Sequence, residues 1–204
     1  RQGFFFRDPA EIEVQSLGFG LVQTKGGPCG VLAAVQAVLL KKLLYEGKVS
    51  TEANWKSRIG PSTSLLKNAL VDAISEMIYR AGGGSCSVVV FKSRLEQAVE
   101  FKCYSEKETT LCVQHHLHSF MARKGMGVAM LVLSLIVSRG VSRVRSDMDA
   151  DSKRLIVDYG YCAQELVNLC ITGHAASHLH SGDKKFAGRT LKGIRKGLVA
   201  QVGL

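Results

Sequence analysis

The chain lacks the cysteine spacing of a zinc ribbon, although it contains six cysteines. No two of them are spaced as C-x-x-C; they stand at Cys29, Cys86, Cys103, Cys112, Cys162 and Cys170. Zinc ribbons hold their metal with closely paired thiolates, so this pattern argues against that class of domain. We predict that the chain has no metal site and needs no cofactor.

The sequence also lacks a secretory leader and a long apolar run. The opening residues, RQGFFFRDPAEIEV, have neither a sustained apolar core nor a small-residue cleavage site, which argues against a signal peptide. The most apolar stretch, Val128 to Ser138, is too short to cross a bilayer as a helix. We therefore expect a cytoplasmic or nuclear protein that is not secreted, has no membrane partner and keeps its cysteines reduced.

Length and composition indicate one globular domain over residues 1–204, with 46% hydrophobic and 22% charged residues. We divide it into a lead-in arm, 1–20, and a core portion, 21–204. The net charge of +10 suits an acidic partner or nucleic acid. However, the basic residues after Lys184 are barely interleaved with aromatics and form no RNA-binding signature, so we do not expect nucleic acid as a partner.

The most informative stretch is QTKGGPCGVLAAVQAVLLKKLL, which begins at Gln23. Gly26 and Gly27 predict a turn, and Pro28 suits the first turn of the helix that follows. Cys29 then lies at the helix start, where the helix dipole favours the nucleophilic thiolate. Gln23, on the incoming loop, can donate its amide N–H to an oxyanion beside that thiolate. The pattern alone leaves open the alternative that Cys29 is a small, buried and inert residue.

The longer segment GLVQTKGGPCGVLAAVQAVLLKKLL closely resembles the active-site segment of the MINDY deubiquitinases, in the branch that carries GGPCGVLAAVQ. The stretches RQGFFFRDP, ISEMIYRAGG, SRGVSRVRSDMD and GYCAQELVNLCITG resemble the same branch, and the likeness extends to about Ala176. The resemblance implies an α+β, papain-like cysteine protease fold and hydrolysis of polyubiquitin, with ubiquitin and polyubiquitin chains as partners. It also implies that Cys29 is the nucleophile and Gln23 the oxyanion-hole donor.

The chain departs from the family pattern at the general base. The family's histidine lies on a downstream strand that reads Ser-His-Phe, and no such motif occurs up to Leu204. We therefore expect the base to lie outside this chain and the papain-like fold to be incomplete at its carboxyl end. The alternative is a catalytically inactive relative or fragment that binds ubiquitin without cleaving it. His174, His178 and His180 remain weaker candidates for the base.

Two further clusters permit a metal interpretation that we do not favour. His115 and His118 can share a helix face but have no obvious third ligand. Asp147, Asp149 and Asp151 resemble a calcium loop, yet the glycine and distal glutamate of an EF-hand are absent. A solvated helix face and a solvated charged loop explain these clusters more simply.

Hydrophobic periodicity and turn residues predict the remaining elements. The consecutive aromatics Phe4, Phe5 and Phe6 are expected to anchor the arm on the domain, with a partner-docking surface as the alternative. The run Val128 to Ser138 is buried but is not assigned to helix or strand. Four helices are predicted: Pro28–Tyr45, a second that Pro61-Ser62-Thr63 opens and Gly82 ends, Leu111–Ala122, and Tyr161–Thr172. Two strands are predicted, Ser87–Phe91 and Leu155–Tyr159.

Overall fold

The computed structural model describes residues 1–8, 19–24, 26–46, 62–92, 97–149, 154–178, 184–186 and 189–191. His180, Asp151 and the basic tail from Lys192 onwards, all discussed above, lie outside these described residues. So does Gly47, which follows the predicted first helix.

The first helix, α1, spans Cys29–Lys41 and continues as a π-helical turn, Lys42–Glu46. The prediction of a helix from Pro28 to Tyr45 is therefore confirmed. Its branched and long apolar side chains are buried: Val31, Leu32, Val35, Val38 and Leu39. Ala33 and Ala37 of the same helix are exposed. The helix is thus buried on one broad side and open on the other, as an amphipathic helix is.

The second helix, α2, spans Thr63–Gly82 and is the longest element. Ser62 caps its start, because the Ser62 hydroxyl accepts a hydrogen bond from the Leu65 amide at 3.2 Å. Gly83 ends it in a left-handed conformation with a φ of 66°. Its predicted apolar face is fully or almost fully buried: Leu66, Leu70, Ile74, Met77 and Ile78.

A two-stranded antiparallel sheet pairs β1, Cys86–Lys92, with β2, Gln97–Cys103. The predicted strand Ser87–Phe91 is confirmed, and β2 falls in a stretch that the sequence left unassigned. β1 is buried from Cys86 to Val90, whereas β2 is mostly exposed. The free edge of β1 is covered by a helix, since Ser134 and Ser138 accept hydrogen bonds from the Val89 and Ser87 amides.

That covering helix is α5, Gly127–Arg139, so the unassigned run from Val128 to Ser138 is helical. The predicted helix Leu111–Ala122 is divided at His116 into α3, Glu106–His115, and α4, Leu117–Met121. The short helix α6, Val141–Asp147, follows α5 after Gly140. The last helix, α7, Gln164–Thr172, starts three residues after its predicted start and ends as predicted before Gly173, whose φ is 79°.

The aromatic arm is anchored on the domain, as predicted. Phe4 and Phe5 are buried, and Phe6 is partly buried. The Phe4 amide donates to the Phe120 carbonyl oxygen at 2.9 Å, and Phe6 forms an isolated antiparallel bridge with Leu21. The arm therefore fixes the chain segment that approaches α1.

The predicted strand Leu155–Tyr159 is wrong in form. The segment is a short hairpin, in which Ile156 bridges Cys162 and the tip, Asp158–Gly160, is a 3-10 turn. A second small antiparallel pair joins β3, Lys184–Phe186, to β4, Arg189–Leu191. Helices with small antiparallel sheets make the class α+β, as expected.

Within the described ranges, no single helix is long and apolar enough to cross a membrane. Together α5 and α6 reach that length and composition, but they bend by 88° at Gly140. α5 packs against β1 and α2, and its central side chains are buried there: Met130, Leu131 and Leu135.

Candidate active site

The site is built around the glycine turn that precedes α1. Gly27 has a φ of 120°, which side chains disfavour. A methyl group at this position would lie 3.2 Å from the Gly160 carbonyl oxygen and 3.3 Å from that of Tyr159. The turn therefore packs directly on the backbone of the 155–162 hairpin, and only glycine fits between them.

Cys29 is the first residue of α1, directly after Pro28. Its thiol is free and exposed, so the alternative of a buried, inert cysteine does not describe it. The thiol donates a weak hydrogen bond to the Gly27 carbonyl oxygen, with a sulfur–oxygen distance of 3.8 Å. A thiol at the positive end of a helix and open to solvent is placed to act as a nucleophile.

Gln23 is exposed and lies in the extended segment before the glycine turn. The backbone on both sides of it is held by the buried side chain of Gln2. The Gln2 amide donates to the Val22 carbonyl oxygen at 2.9 Å, and its oxygen accepts from the Thr24 amide at 3.1 Å and hydroxyl at 2.8 Å. Gln36 of α1 adds a fourth hydrogen bond, accepting from the Leu21 amide at 2.8 Å.

Sequence reasoning missed Gln2 and Gln36, because neither residue belongs to the glycine turn. Their role comes from long-range contacts with residues 21–24, which Gln2 makes from the arm and Gln36 makes from α1. Fixing the segment at these points reduces the freedom that an oxyanion donor on it would lose on binding substrate.

A second thiol, that of Cys162, lies beside Cys29. Its sulfur is 3.9 Å from the same Gly27 carbonyl oxygen. Its Cβ packs on Gly30 so closely that a methyl group there would lie 2.9 Å from it. Burial raises the pKa of the Cys162 thiol, and the neighbouring Cys29 raises this pKa further.

An open, mostly apolar groove of about 520 Å³ begins at this turn. Its lining includes Pro28, directly before α1, Val31 of α1 and Val132 of α5. The hairpin forms a wall with Ile156 and with Tyr159, whose side chain is 93% exposed. An extended, largely uncharged peptide segment fits such a groove chemically.

The histidines considered as a base contact acidic or basic side chains of the α5–α6 region. His174 Nδ1 lies 3.0 Å from the Arg139 guanidinium, which also binds Asp147 through two hydrogen bonds of 2.9 and 2.7 Å. His178 pairs with Asp149 at 2.6 Å. Asp147 thus pairs with Arg139 and Asp149 with His178, so the two carboxylates do not form a shared calcium loop.

The other imidazole cluster is a packed helix end. His115 and His116 lie with their ring centroids 4.8 Å apart, and His116 meets the Phe101 ring edge-on at 4.8 Å. Burial lowers the pKa of His116, and the neighbouring His115 lowers it further. In the part of the chain that the structure describes, no three His, Cys, Asp or Glu residues are arranged to hold a metal ion.

Comparison with known proteins places this geometry in context. Residues 1–204 match the family model described as "Deubiquitinating enzyme MINDY-3/4, conserved domain". The chain is 39% identical over 193 residues to the probable ubiquitin carboxyl-terminal hydrolase MINDY-4 of Mus musculus, covering 87% of the chain and 25% of that protein. The human MINDY-4 protein is 38% identical over 195 residues, covering 87% of the chain and 24% of that protein.

A more distant relative is the ubiquitin carboxyl-terminal hydrolase MINDY-3 of Mus musculus, which is 28% identical over 231 residues. That alignment covers 96% of the chain and 49% of the relative. The chain therefore spans about a quarter of the length of its MINDY-4 relatives. No solved structure matches it significantly.

Proposed function

Because the chain belongs to the MINDY-3/4 family of deubiquitinating enzymes, we propose that it is the nucleophile-bearing part of a thiol hydrolase. Its substrate is isopeptide-linked polyubiquitin, and the reaction removes ubiquitin from conjugates. The observation that carries the proposal is the exposed Cys29 thiol on the first residue of α1. Family membership also assigns the papain-like fold, in which such a cysteine starts a central helix.

In the proposed reaction, the Cys29 sulfur attacks the carbonyl carbon at the carboxyl terminus of a ubiquitin unit. The Gln23 amide and the Cys29 backbone N–H stabilise the oxyanion, at roughly 3–4 kcal/mol for each donor. The lysine amine then leaves with a proton from the general base, which has become an acid. Water hydrolyses the thioester and regenerates the thiol. We propose a histidine outside residues 1–204 as that base.

The support for Gln23 is the way its segment is held. Gln2 bonds to the residues on both sides of Gln23, and Gln36 bonds to Leu21. A donor on a fixed segment stabilises charge in the transition state without reorganising first. The compartment we propose is the cytoplasm or nucleus, where the six free cysteines stay reduced.

The test uses the full-length natural protein and a ubiquitin derivative with a carboxyl-terminal propargyl amide. We expect covalent labelling of Cys29 and cleavage of polyubiquitin, both abolished by Cys29→Ala. Gln23→Ala should lower kcat for chain cleavage by about 10²–10³ with little change in KM. Gln114→Ala, a change of an exposed glutamine on α3, is the matched control and should leave both constants unchanged. Equal rates for Gln23→Ala and the control would remove Gln23 from the mechanism.

A second candidate function is ubiquitin binding without cleavage. The observation that favours it is that, among the residues that the structure describes, the Cys29 thiol donates its hydrogen bond to the Gly27 carbonyl oxygen. A full-length protein that binds polyubiquitin equally well with and without Cys29→Ala, and cleaves none of it, would establish this alternative.

A further inference from the structure

Two free thiols share one hydrogen-bond acceptor at the site. The Cys29 and Cys162 sulfurs lie 3.8 Å and 3.9 Å from the Gly27 carbonyl oxygen. That places the two sulfurs within about 8 Å of each other, whereas a disulfide needs about 2.05 Å. The pair spans 133 positions in sequence, so no local motif predicts it.

We propose that Cys29 and Cys162 are an oxidative modification site, at which a hydroperoxide converts the two thiols into a reversible disulfide. Cys29 is the thiol that reacts with the peroxide, and Cys162 is the thiol that resolves the product. This inference concerns the two sulfurs only, and it holds whether or not the protein cleaves ubiquitin.

The chemistry needs one hydroperoxide and no other reactant. The Cys29 thiolate attacks one peroxide oxygen, which breaks the O–O bond and forms a sulfenic acid. The second oxygen leaves, takes up the proton that the Cys29 thiol released to solvent, and becomes water or an alcohol. The Cys162 sulfur then attacks the Cys29 sulfur, so that an S–S bond forms and the S–O bond breaks. The departing hydroxide takes the Cys162 proton and becomes water. The two thiols lose two electrons in total, and the peroxide gains them.

Exposure and burial give the two thiols different tasks. Cys29 is exposed at the first turn of α1, where a peroxide can reach it. Cys162 is half-buried against Gly30, and its burial raises its pKa, so it stays a thiol at rest. A protected thiol beside a reactive one is the arrangement that resolves a sulfenic acid rather than reacting first.

The local backbone allows the final approach of the two sulfurs. Cys29 is the first helical residue, where only one side of the chain is held by the helix. Cys162 lies in a short hairpin, where it bridges Ile156 and is flanked by two cross-strand hydrogen bonds, from Val157 to Tyr161 and from Ala163 to Leu155. The proposed disulfide requires rotation of the two side chains and a small shift of the hairpin toward the start of α1.

The other cysteines do not compete. Cys86 and Cys103 face each other across the β1–β2 sheet, but both are buried. Burial raises the pKa of Cys112 to about 12 and that of Cys170 to about 12, so neither forms thiolate readily. Peroxide chemistry is therefore directed to Cys29, and Cys162, whose sulfur lies beside the same Gly27 carbonyl oxygen, is placed to resolve it.

The experiment compares the full-length wild-type protein with Cys162→Ser and with the matched control Cys112→Ser, a change of another half-buried thiol. Each protein is treated with hydrogen peroxide and then labelled at free thiols with iodoacetamide. Labelling is normalised to the same protein without peroxide, and half of each sample is first reduced with dithiothreitol. Peptide mass spectrometry identifies the form of Cys29.

We expect a Cys29–Cys162 linked peptide, two hydrogens lighter than its parts, in the wild type and in Cys112→Ser. Dithiothreitol should restore Cys29 labelling in both. In Cys162→Ser, Cys29 should advance to sulfinic acid, with irreversible loss about tenfold faster than in the wild type. Equal irreversible oxidation in wild type and Cys162→Ser, or a disulfide from Cys29 to a different cysteine, would overturn the proposal. These readouts are independent of ubiquitin cleavage, so they separate this inference from the proposed function.

Discussion

At the scale of single residues, the geometry of the candidate site depends on a glycine, Gly27. Gly27 has a positive φ, and a methyl group at this position would crowd the carbonyl oxygens of Tyr159 and Gly160. The Gly27 carbonyl oxygen accepts a weak hydrogen bond from each of the two thiols. The spacing of the glycine turn predicted a bend here. It could not predict that the bend is wedged against a hairpin more than 130 positions away.

We predict that Gly27→Ala destabilises the fold by about 2–3 kcal/mol, since the left-handed conformation and the close contact each cost free energy. It should also slow labelling of Cys29 by a small thiol reagent by about tenfold, as the turn moves off the hairpin. Urea unfolding and labelling kinetics measure the two effects.

Gly83→Ala is the matched control for this change. Gly83 is also left-handed, with a φ of 66°, but nothing lies within 4 Å of a methyl group there. It should cost only about 1–2 kcal/mol and leave Cys29 labelling unchanged. If the two variants lose the same stability and Cys29 is labelled at the wild-type rate in both, the contact between Gly27 and the hairpin contributes nothing to stability.

The same limit explains which residues of the candidate site the sequence alone could suggest. Cys29 and Gln23 follow from a local motif, the order of loop, turn and helix. Gln2, Gln36 and Cys162 act through contacts between distant segments, and nothing in their neighbouring residues marks them.

At the scale of elements, α2 was predictable to its ends because local signals agree there. Ser62 caps the start, Gly83 permits the left-handed end, and the apolar residues repeat at helical spacing. α5 was not assignable, because a helix buried on most sides has no periodicity to distinguish it from a strand. β2 was missed because its exposed, charged face hides the alternation expected of a strand.

The hairpin from Leu155 to Cys162 was misassigned as a strand for a further reason. Its tip residue, Tyr159, has a φ of 59°, the single positive φ of a non-glycine residue in the described part of the chain. A tyrosine gives no sequence signal for a left-handed turn, since glycine and asparagine are the usual residues there.

We predict that Tyr159→Gly stabilises the protein by about 0.5–1 kcal/mol. Glycine removes the strain of the left-handed conformation, which costs about 1–2 kcal/mol. Part of this gain is offset, because glycine makes the unfolded chain more flexible. The side chain contributes little packing, as it is 93% exposed. Tyr161→Gly is the control, because Tyr161 has an ordinary φ of −69° and the change should destabilise. A stability loss in both variants would show that Tyr159 is not strained.

At the scale of the whole molecule, α2 is the element that the others share. It packs on α1, which begins with the proposed nucleophile Cys29, and also on α3, α5, α7 and β1. Leu70, Ile74, Met77 and Ile78 are completely buried in this arrangement. The position of Cys29 therefore depends on a core that lies behind it, although no α2 side chain lines the groove.

We predict that truncating the centre of α2 lowers the stability of the whole domain at once rather than loosening one part. Ile74→Val should cost about 0.5–1.5 kcal/mol and Ile74→Ala about 2–5 kcal/mol, because each removes methyl groups from a site that cannot collapse fully. The urea midpoint should fall while the slope of the transition stays constant. Labelling of Cys29 by the ubiquitin probe should be lost in the same transition. Ile171→Ala, a change of a 40% exposed residue on α7, should cost less than about 1 kcal/mol. A changed slope, or a Cys29 transition separate from that of the core, would mean that the helix carrying the thiol unfolds independently of α2.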